Sequence, residues 1–218
     1  MESRINALSN NMGIKADDDT SRIEIMRKDL SCQKYITLTL KEYGEAVRLG
    51  KKHEYEALPK LLALWFEFTA VEGRGSESNT LHKNQDKANQ LVSTYVKTIP
   101  AISYYNVLPQ LISRIGHSDK DTVTIVLAIL RRVLTKFPSQ ALWSLGHLRH
   151  SVYPERKEKG EDIFKGAQKS LRRSEEMKMH DLLEASKSLF KHLIDLAKYQ
   201  PKRRDPKLSV HPWKGGKQ

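Results

Sequence analysis

Two histidines three residues apart have a spacing that could bind a metal. His147 and His150 fall in a predicted helix, where residues at i and i+3 share a face and can bring two imidazoles to one ion. A protein metal site needs further ligands, and none follows at a recognisable spacing. We therefore expect these histidines to face solvent or cap a helix. Cys32, the single cysteine, has no histidine and aspartate at a spacing that would make it a nucleophile, so we expect a buried or idle thiol.

A glycine pair could in principle approach a phosphate. Gly73-Arg74-Gly75 lacks the further glycine and the lysine of a phosphate-binding loop, so we interpret it as an ordinary loop. The chain also lacks the His-Arg-Asp and Asp-Phe-Gly triplets that position the phosphoryl acceptor and magnesium in protein kinases. The sequence predicts no catalytic, cofactor-binding or metal-binding residue in this chain.

Basic residues are concentrated late in the chain. The net charge is +12, and residues 149–218 hold 18 of the lysines and arginines against 10 acidic residues. A proline-flanked run contains Lys202, Arg203, Arg204 and Lys207. It is interpreted either as a nuclear-import signal or acidic-partner contact, or as a solvated linker. Aromatic residues do not alternate with the basic ones as a strand-stacking groove requires, which argues against direct nucleic-acid binding.

The elements that must position these residues are helices. Apolar residues recur at steps of three and four with breakers between the runs, and no stretch alternates with period two. The pattern predicts helices over 23–49, 55–68, 81–99, 103–115, 119–136, 139–148, 154–174 and 177–199.

Several details of these helices can be tested. The first is predicted to use one face formed by Tyr35, Leu38, Glu42, Ala46 and Leu49. Pro59 is placed near the first turn of the second helix, where its missing N–H costs nothing. Pro109 either kinks the fourth helix or marks its true start, and Ser118 or Asp119 caps the fifth. Further expectations are an N-cap at Ser139 and core positions for Trp65 and Trp143.

The gaps between these helices are short, which makes successive helices antiparallel neighbours. We predict an all-α fold, an α-solenoid of antiparallel helix hairpins of the HEAT or TPR kind, although no fixed repeat period is visible and a compact bundle is the rival architecture. The domain boundaries are a frayed N-terminus over 1–22, helical repeats over 23–199 and a basic proline-containing tail over 200–218. The first twenty residues lack the apolar core of a signal peptide, no apolar run is long enough to span a membrane, and one cysteine fits a reducing compartment.

Four segments in a fixed order carry a resemblance to a known family. They are residues 50–65, Ile99-Pro100, residues 108–117, and residues 137–143, which read Phe-Pro-Ser-Gln-Ala-Leu-Trp. Together they resemble the FAT domain of phosphatidylinositol-3-kinase-related protein kinases, and within it the ATR-type DNA-damage checkpoint kinases of fungi. The resemblance covers 35–199. The family reads Pro-Gln-Gln where this chain has Pro138-Ser139-Gln140.

The resemblance implies a helical cradle that wraps the kinase lobes of a very large nuclear serine/threonine kinase. ATP and magnesium are then expected only in a kinase domain that these residues lack. The implied partners are that kinase domain and adjoining helical repeats, with a homodimer as a further option and no membrane. Ser139-Gln140 matches the Ser-Gln dipeptide that such kinases phosphorylate, although we expect a capping serine there.

Two functional hypotheses remain. The chain is a non-catalytic scaffold segment of a checkpoint kinase, which makes the sequence a fragment. Alternatively, it is a free-standing helical-repeat adaptor that binds an acidic protein or nucleic acid through its basic C-terminal third.

Overall fold

The computed structural model describes residues 30–50, 52–71, 78–170 and 173–199. Within these ranges the chain forms helices and no strand. The α-helices are α1 (Leu30–Leu49), α2 (Glu54–Thr69), α3 (Ser78–Thr98), α4 (Ala101–Asn106), α5 (Leu108–Ser113), α6 (Lys120–Lys136), α7 (Pro138–Leu145), α8 (Pro154–Lys169) and α9 (Arg173–Ala197), with a 3-10 helix at Gly146–His150 between α7 and α8.

These helices form two layers. Helices α1, α3, α6 and α8 pack side by side in chain order in one layer. The other layer contains α2, then α4 with α5, then α7 with the 3-10 helix, then α9. Each hairpin thus contributes one helix to each layer and packs on its sequence neighbours, which is the arrangement of a helical-repeat stack. The predicted all-α solenoid is confirmed.

Prolines and one aspartate fix where several helices begin. Asp119 caps α6, because its carboxylate accepts a hydrogen bond from the backbone N–H of Thr122 at 2.7 Å. Pro109 lies in the first turn of α5, so it marks a true helix start and not a kink. Pro59 lies inside α2, just beyond the first turn. A backbone N–H at this position would bond the carbonyl of Tyr55 within the helix, so the prediction that its absence costs nothing was wrong.

Ser139 does not cap a helix. Phe137 is the N-cap of α7, Pro138 is the first helical residue, and no side chain caps this end. The proline at the first position already has a suitable φ and no N–H that needs a partner, so the N-cap lies two residues earlier than the serine rule predicts, at Phe137. Ser139 is exposed in the first turn.

The predicted core face of α1 was also wrong. The side chains that face the core are Leu40 and Val47, with Ile36 and Tyr43 packed against them. The predicted stripe lies on the opposite side of the helix, and its Tyr35, Leu38 and Leu49 are all more than half exposed. Two helical stripes with similar spacing were available, and packing against α2 and α3 selected the other one.

A glycine lets α1 approach α3 closely. A Cβ atom on Gly44 would lie 2.1 Å from the ring of Tyr95, whose hydroxyl donates to the carbonyl of Lys41 at 3.1 Å. Periodicity alone treats Gly44 as a weak point in the helix. The contact shows that this glycine makes room for a buried aromatic ring.

A buried polar cluster joins three successive hairpins. Asn89 on α3 donates to the Asp119 carboxylate at 3.0 Å, and the Thr122 hydroxyl on α6 lies 3.1 Å from Asn89 Oδ1. The Thr122 hydroxyl also lies 3.0 Å from the hydroxyl of Thr69 on α2. Because these bonds are directional, the cluster fixes the register between hairpins more tightly than apolar packing alone.

Arg132 binds the C-terminal end of α3. Its guanidinium donates to the carbonyl of Ile99 at 2.6 Å and to that of Val96. Carbonyls at a helix C-terminus lack partners within the helix, and a cation also complements the helix dipole there.

The predicted boundaries at 22 and 200 fall outside the described residues, so the domain division stays a prediction.

Candidate protein-interaction surface

A groove between α7 and α9 presents an exposed tryptophan on the described surface. It has a volume of about 310 Å³ and is lined mainly by apolar side chains. The lining residues are Ser139, Leu142, Trp143, Leu182, Ala185, Ser186, Leu189 and Phe190, which we call the α7–α9 groove. A concave apolar surface of this kind offers apolar contacts and is a candidate binding surface.

Trp143 stands at the edge of this groove. The indole is 66% exposed, whereas Trp65 in α2 is fully buried. The core prediction is therefore confirmed for Trp65 and wrong for Trp143. The helix that carries Trp143 has only eight residues, and its Ala141, Leu142 and Leu145 already supply the buried face.

Phe190 lines the groove and packs against the 3-10 helix. A Cβ atom on Gly146 would lie 2.1 Å from the Phe190 ring, so α9 packs directly on the backbone of the 3-10 helix. Trp143 meets the same ring edge to face, with 6.1 Å between ring centroids. The Phe190 ring thus contacts both α7 and the 3-10 helix, and these contacts fix the position of α9 at the groove.

The groove continues as an apolar stripe along α9. Leu189, Leu193 and Leu196 are between 41% and 50% exposed and share one side of the helix. The opposite side carries the charged residues Lys187 and Lys191. The exposed leucines therefore form an apolar stripe that begins at Leu189 in the α7–α9 groove and runs along α9.

A second apolar stripe lies at the other end of the described stack. Tyr35, Leu38 and Leu49 on α1 point away from α2 and α3, and Tyr55 at the start of α2 is 75% exposed. We call Tyr35, Leu38 and Leu49 the α1 stripe. In a solenoid this is the side on which a preceding hairpin packs.

Several charged residues on the 3-10 helix, α8 and α9 form ion pairs. Arg149 makes a bidentate contact with Glu161, at 3.1 and 3.3 Å, and its guanidinium lies 4.9 Å from the Phe164 ring centroid. Burial raises the pKa of Glu161, but the hydrogen bond and charge of Arg149 outweigh it and lower that pKa overall. Lys159 with Glu155 and Lys187 with Glu184 form further pairs.

The two histidines lie close together on a short 3-10 helix. His147 and His150 lie on the 3-10 helix, and burial lowers the pKa of both, helped by Arg156 and Arg149 respectively. No group of three or more potential ligands occurs in the described parts of the chain.

Other predicted features lie outside the described residues. They are the glycine pair Gly73 and Gly75 and the basic residues Lys202, Arg203, Arg204 and Lys207; the side chain of Cys32 is likewise not described. Residues 149–199 contain twelve basic and nine acidic residues, a net of three positive charges, while 200–218 contain six basic and one acidic, a net of five. Most of the late basic excess therefore belongs to the tail.

Sequence reasoning missed the α7–α9 groove. The available signal was the short length of α7 between Pro138 and Gly146, which leaves too few turns to bury a tryptophan as well as three aliphatic residues.

None of the described helices is long and apolar enough to span a membrane.

Comparisons with known proteins all point to ATR-like kinases. Residues 87–190 match the family model described as serine/threonine-protein kinase ATR-like, HEAT repeats. The chain is 35% identical to the Arabidopsis thaliana serine/threonine-protein kinase ATR over 170 residues, which is 77% of the chain and 6% of that kinase. It is 29% identical to the Candida albicans kinase MEC1 over 54% of the chain and 5% of the relative. Protein kinase rad3 of Schizosaccharomyces pombe is 26% identical over 80% of the chain and 8% of the relative. The chain thus spans only a small part of these relatives, and no solved structure matches it significantly.

Proposed function

The chain contains a helical-repeat segment of the ATR-like serine/threonine kinase family, and from this premise we propose that it is a non-catalytic scaffold within a longer repeat array. On this proposal it corresponds to part of the FAT domain of a DNA-damage checkpoint kinase. It cradles the kinase lobes and limits how they move.

The α1 stripe is the observation that carries this proposal. A solenoid that works alone needs polar outer faces on its terminal repeats, because an apolar end would otherwise contact water. Tyr35 and Leu49 are 65% and 74% exposed on the outer side of the first described hairpin. A preceding repeat would cover them, and the matched relatives are long enough to supply one.

The solution behaviour of the full chain tests this. We expect light scattering with size-exclusion chromatography to show self-association that grows with protein concentration, because the α1 stripe is uncovered. A triple variant, Tyr35→Lys, Leu38→Lys and Leu49→Lys, should be monomeric. The matched control places the same three lysines at Gln90, Ser93 and Thr98, which are exposed polar positions on α3, and should still self-associate.

A wild-type chain that is monomeric at every concentration would instead favour the free-standing adaptor. The feature that favours that alternative is the net of five positive charges in 200–218. Most of the chain's late basic excess lies in 200–218, outside the described helices. An adaptor of this type would therefore bind its acidic partner through that tail.

The kinase cradle has its own test. We expect the labelled chain to bind the purified kinase lobes of an ATR-like kinase in a fluorescence anisotropy titration. The groove variant Trp143→Glu should weaken this binding if α7 and α9 face the lobes, while Ser93→Glu on α3 should not. Absence of binding by the wild-type chain would contradict the cradle and leave the array proposal standing.

Nuclear localisation is part of the same proposal. A fluorescent fusion too large to diffuse through nuclear pores should accumulate in the nucleus. Replacing Lys202, Arg203, Arg204 and Lys207 with glutamine should prevent this if the tail is an import signal. A wild-type fusion that stays in the cytoplasm would contradict the proposed localisation.

A further inference from the structure

The outer side of α1 and the apolar side of α9 have the same residue spacing. On each helix five positions follow one another at steps of three, four, four and three residues. On α1 they are Tyr35, Leu38, Glu42, Ala46 and Leu49, and on α9 they are Leu182, Ala185, Leu189, Leu193 and Leu196. Each set covers about 21 Å of helix. The two surfaces therefore match in length and in the placing of their side chains.

The shapes of the two surfaces are complementary. The α1 stripe projects from a single helix at the end of the described stack, so it forms a ridge. Leu182, Ala185 and Leu189 lie between two helices, in the α7–α9 groove beside Trp143. Helices pack by placing a ridge of one into a groove of another. A ridge seated here would cover the exposed indole.

We propose that the α7–α9 groove binds the α1 stripe of a second copy of this chain, with the two helices antiparallel. The contact joins two unlike surfaces, so it repeats from one copy to the next. The inference rests on the uncovered α1 stripe of the proposed function. It goes further because it assigns a partner to the groove and to Trp143, which the scaffold role leaves unexplained.

The charges beside the two surfaces favour this pairing. Lys41 and Arg48 each come directly before one of the five α1 positions, and Asp181 and Asp195 each come directly before one of the five α9 positions. All four residues are exposed, although Arg48 also contacts Glu45 in its own helix. Residues that precede such positions form one flank of a helix, and antiparallel packing brings the two flanks together. The basic flank of α1 then lies along the acidic flank of α9, with Arg48 nearest Asp181.

Pairing of like surfaces is less favourable. Each set of five positions is symmetric about its middle residue, so a two-fold pair of α1 helices would place Glu42 against its counterpart in the second copy. A two-fold pair of α9 helices would place Asp181 near Asp195 of the second copy. Like charges that face each other across an interface weaken binding. Pairing α1 with α9 avoids both repulsions.

The contact is small. A helix is about 10 Å wide, so two stripes of this length meet over roughly 200 Å² in projection. Stable complexes bury about 800 Å² on each partner. The association should therefore be weak and should increase with protein concentration.

Mixing two variants of the full chain tests the pairing. The α1 variant is the triple lysine variant at Tyr35, Leu38 and Leu49, and a matching α9 variant carries Leu189→Lys, Leu193→Lys and Leu196→Lys. Each variant alone should be monomeric where wild type associates, because each lacks one of the two surfaces. The mixture should form a 1:1 heterodimer that grows no further, since it holds one intact stripe and one intact groove. The control with lysines at Gln90, Ser93 and Thr98 should still self-associate.

The α9 variant separates this inference from the scaffold proposal. If that variant self-associates as wild type does, the α1 stripe does not use the groove, so the inference is wrong while the scaffold proposal stands. Two monomeric variants that form no heterodimer would also overturn the inference. A wild-type chain that is monomeric at every concentration would remove the support for both.

Charge exchange within the heterodimer tests the antiparallel orientation. Adding Lys41→Glu and Arg48→Glu to the α9 variant should raise the dissociation constant about tenfold, because attractive surface pairs become repulsive. Adding Asp181→Lys and Asp195→Lys to the α1 variant should then restore most of the lost affinity. Failure of this second change to restore binding would overturn the proposed orientation.

Discussion

Trp65 and Asn89 are joined by a buried hydrogen bond in which the indole Nε1–H on α2 donates to the side-chain oxygen on α3 at 2.8 Å. Asn89 is 5% exposed, and its amide also donates to the Asp119 carboxylate. The Asn89 side chain thus accepts the hydrogen bond of the indole N–H and donates one to Asp119, the residue that caps α6. This links the first three hairpins through directional bonds as well as apolar packing.

Removal of the Asn89 side chain should destabilise the fold. Asn89→Ala leaves the Trp65 N–H buried without its acceptor and takes one donor from Asp119. We expect the free energy of unfolding to fall by about 2–4 kcal/mol, since each buried unsatisfied polar group costs about 1–3 kcal/mol. Urea denaturation followed by Trp fluorescence measures this. Gln90→Ala, one residue along α3 and exposed, should change stability little; equal losses for the two variants would contradict the role of the bond.

The close approach at Gly44 should not tolerate a larger residue. Gly44→Ala introduces a methyl group that would lie 2.1 Å from the buried Tyr95 ring. Although alanine is the better helix former, we expect a net loss of about 1–3 kcal/mol, because the ring must move and its bond to the Lys41 carbonyl is disturbed. Gly116→Ala is the control, since a Cβ atom added there would have no neighbour within 4 Å. A more stable Gly44→Ala variant would show that Tyr95 can move freely.

Stability should fall in acid through Asp119. Burial raises the pKa of its carboxyl, but the hydrogen bonds from Thr122 and Asn89 outweigh burial, so the pKa in the folded protein lies below its ordinary value. The carboxylate therefore contributes stability in full above the pKa of the unfolded chain, and the contribution is lost as pH falls through the folded pKa. Unfolding free energies measured from neutral pH into acid should decline less for Asp119→Asn than for wild type. Parallel curves for the two proteins would rule out this contribution.

Arg132 should stabilise the end of α3. Arg132→Gln removes the donors to Ile99 and Val96 and the positive charge at the helix C-terminus. We expect a loss of about 1.5–3 kcal/mol, the usual range for hydrogen bonds from charged groups. Amide hydrogen exchange should show faster exchange confined at first to the last turn of α3. Lys136→Gln, an exposed change of the same charge on α6, should leave that turn protected.

The sequence alone determined the fold class and most helix boundaries. Apolar residues at three- and four-residue steps define amphipathic helices, and Pro100, Asp119 and Phe137-Pro138 stop or start them through local chemistry. Short connections then require neighbouring helices to pack as hairpins. The absence of a nucleotide-binding or kinase motif from this chain is likewise a property of sequence.

Only the tertiary structure decided which side of α1 is buried, which tryptophan is exposed, and why Gly44 is a glycine. The stripe of Tyr35, Leu38 and Leu49 and the stripe of Leu40 and Val47 satisfy the same helical period, so periodicity cannot rank them. Burial depends on which neighbouring helix is within contact distance, and that distance is set by side chains far away in sequence, such as Tyr95 against Gly44 and Phe190 against Gly146. The local apolar pattern therefore determines where the helices form. Packing between residues far apart in sequence determines which helix faces stay exposed.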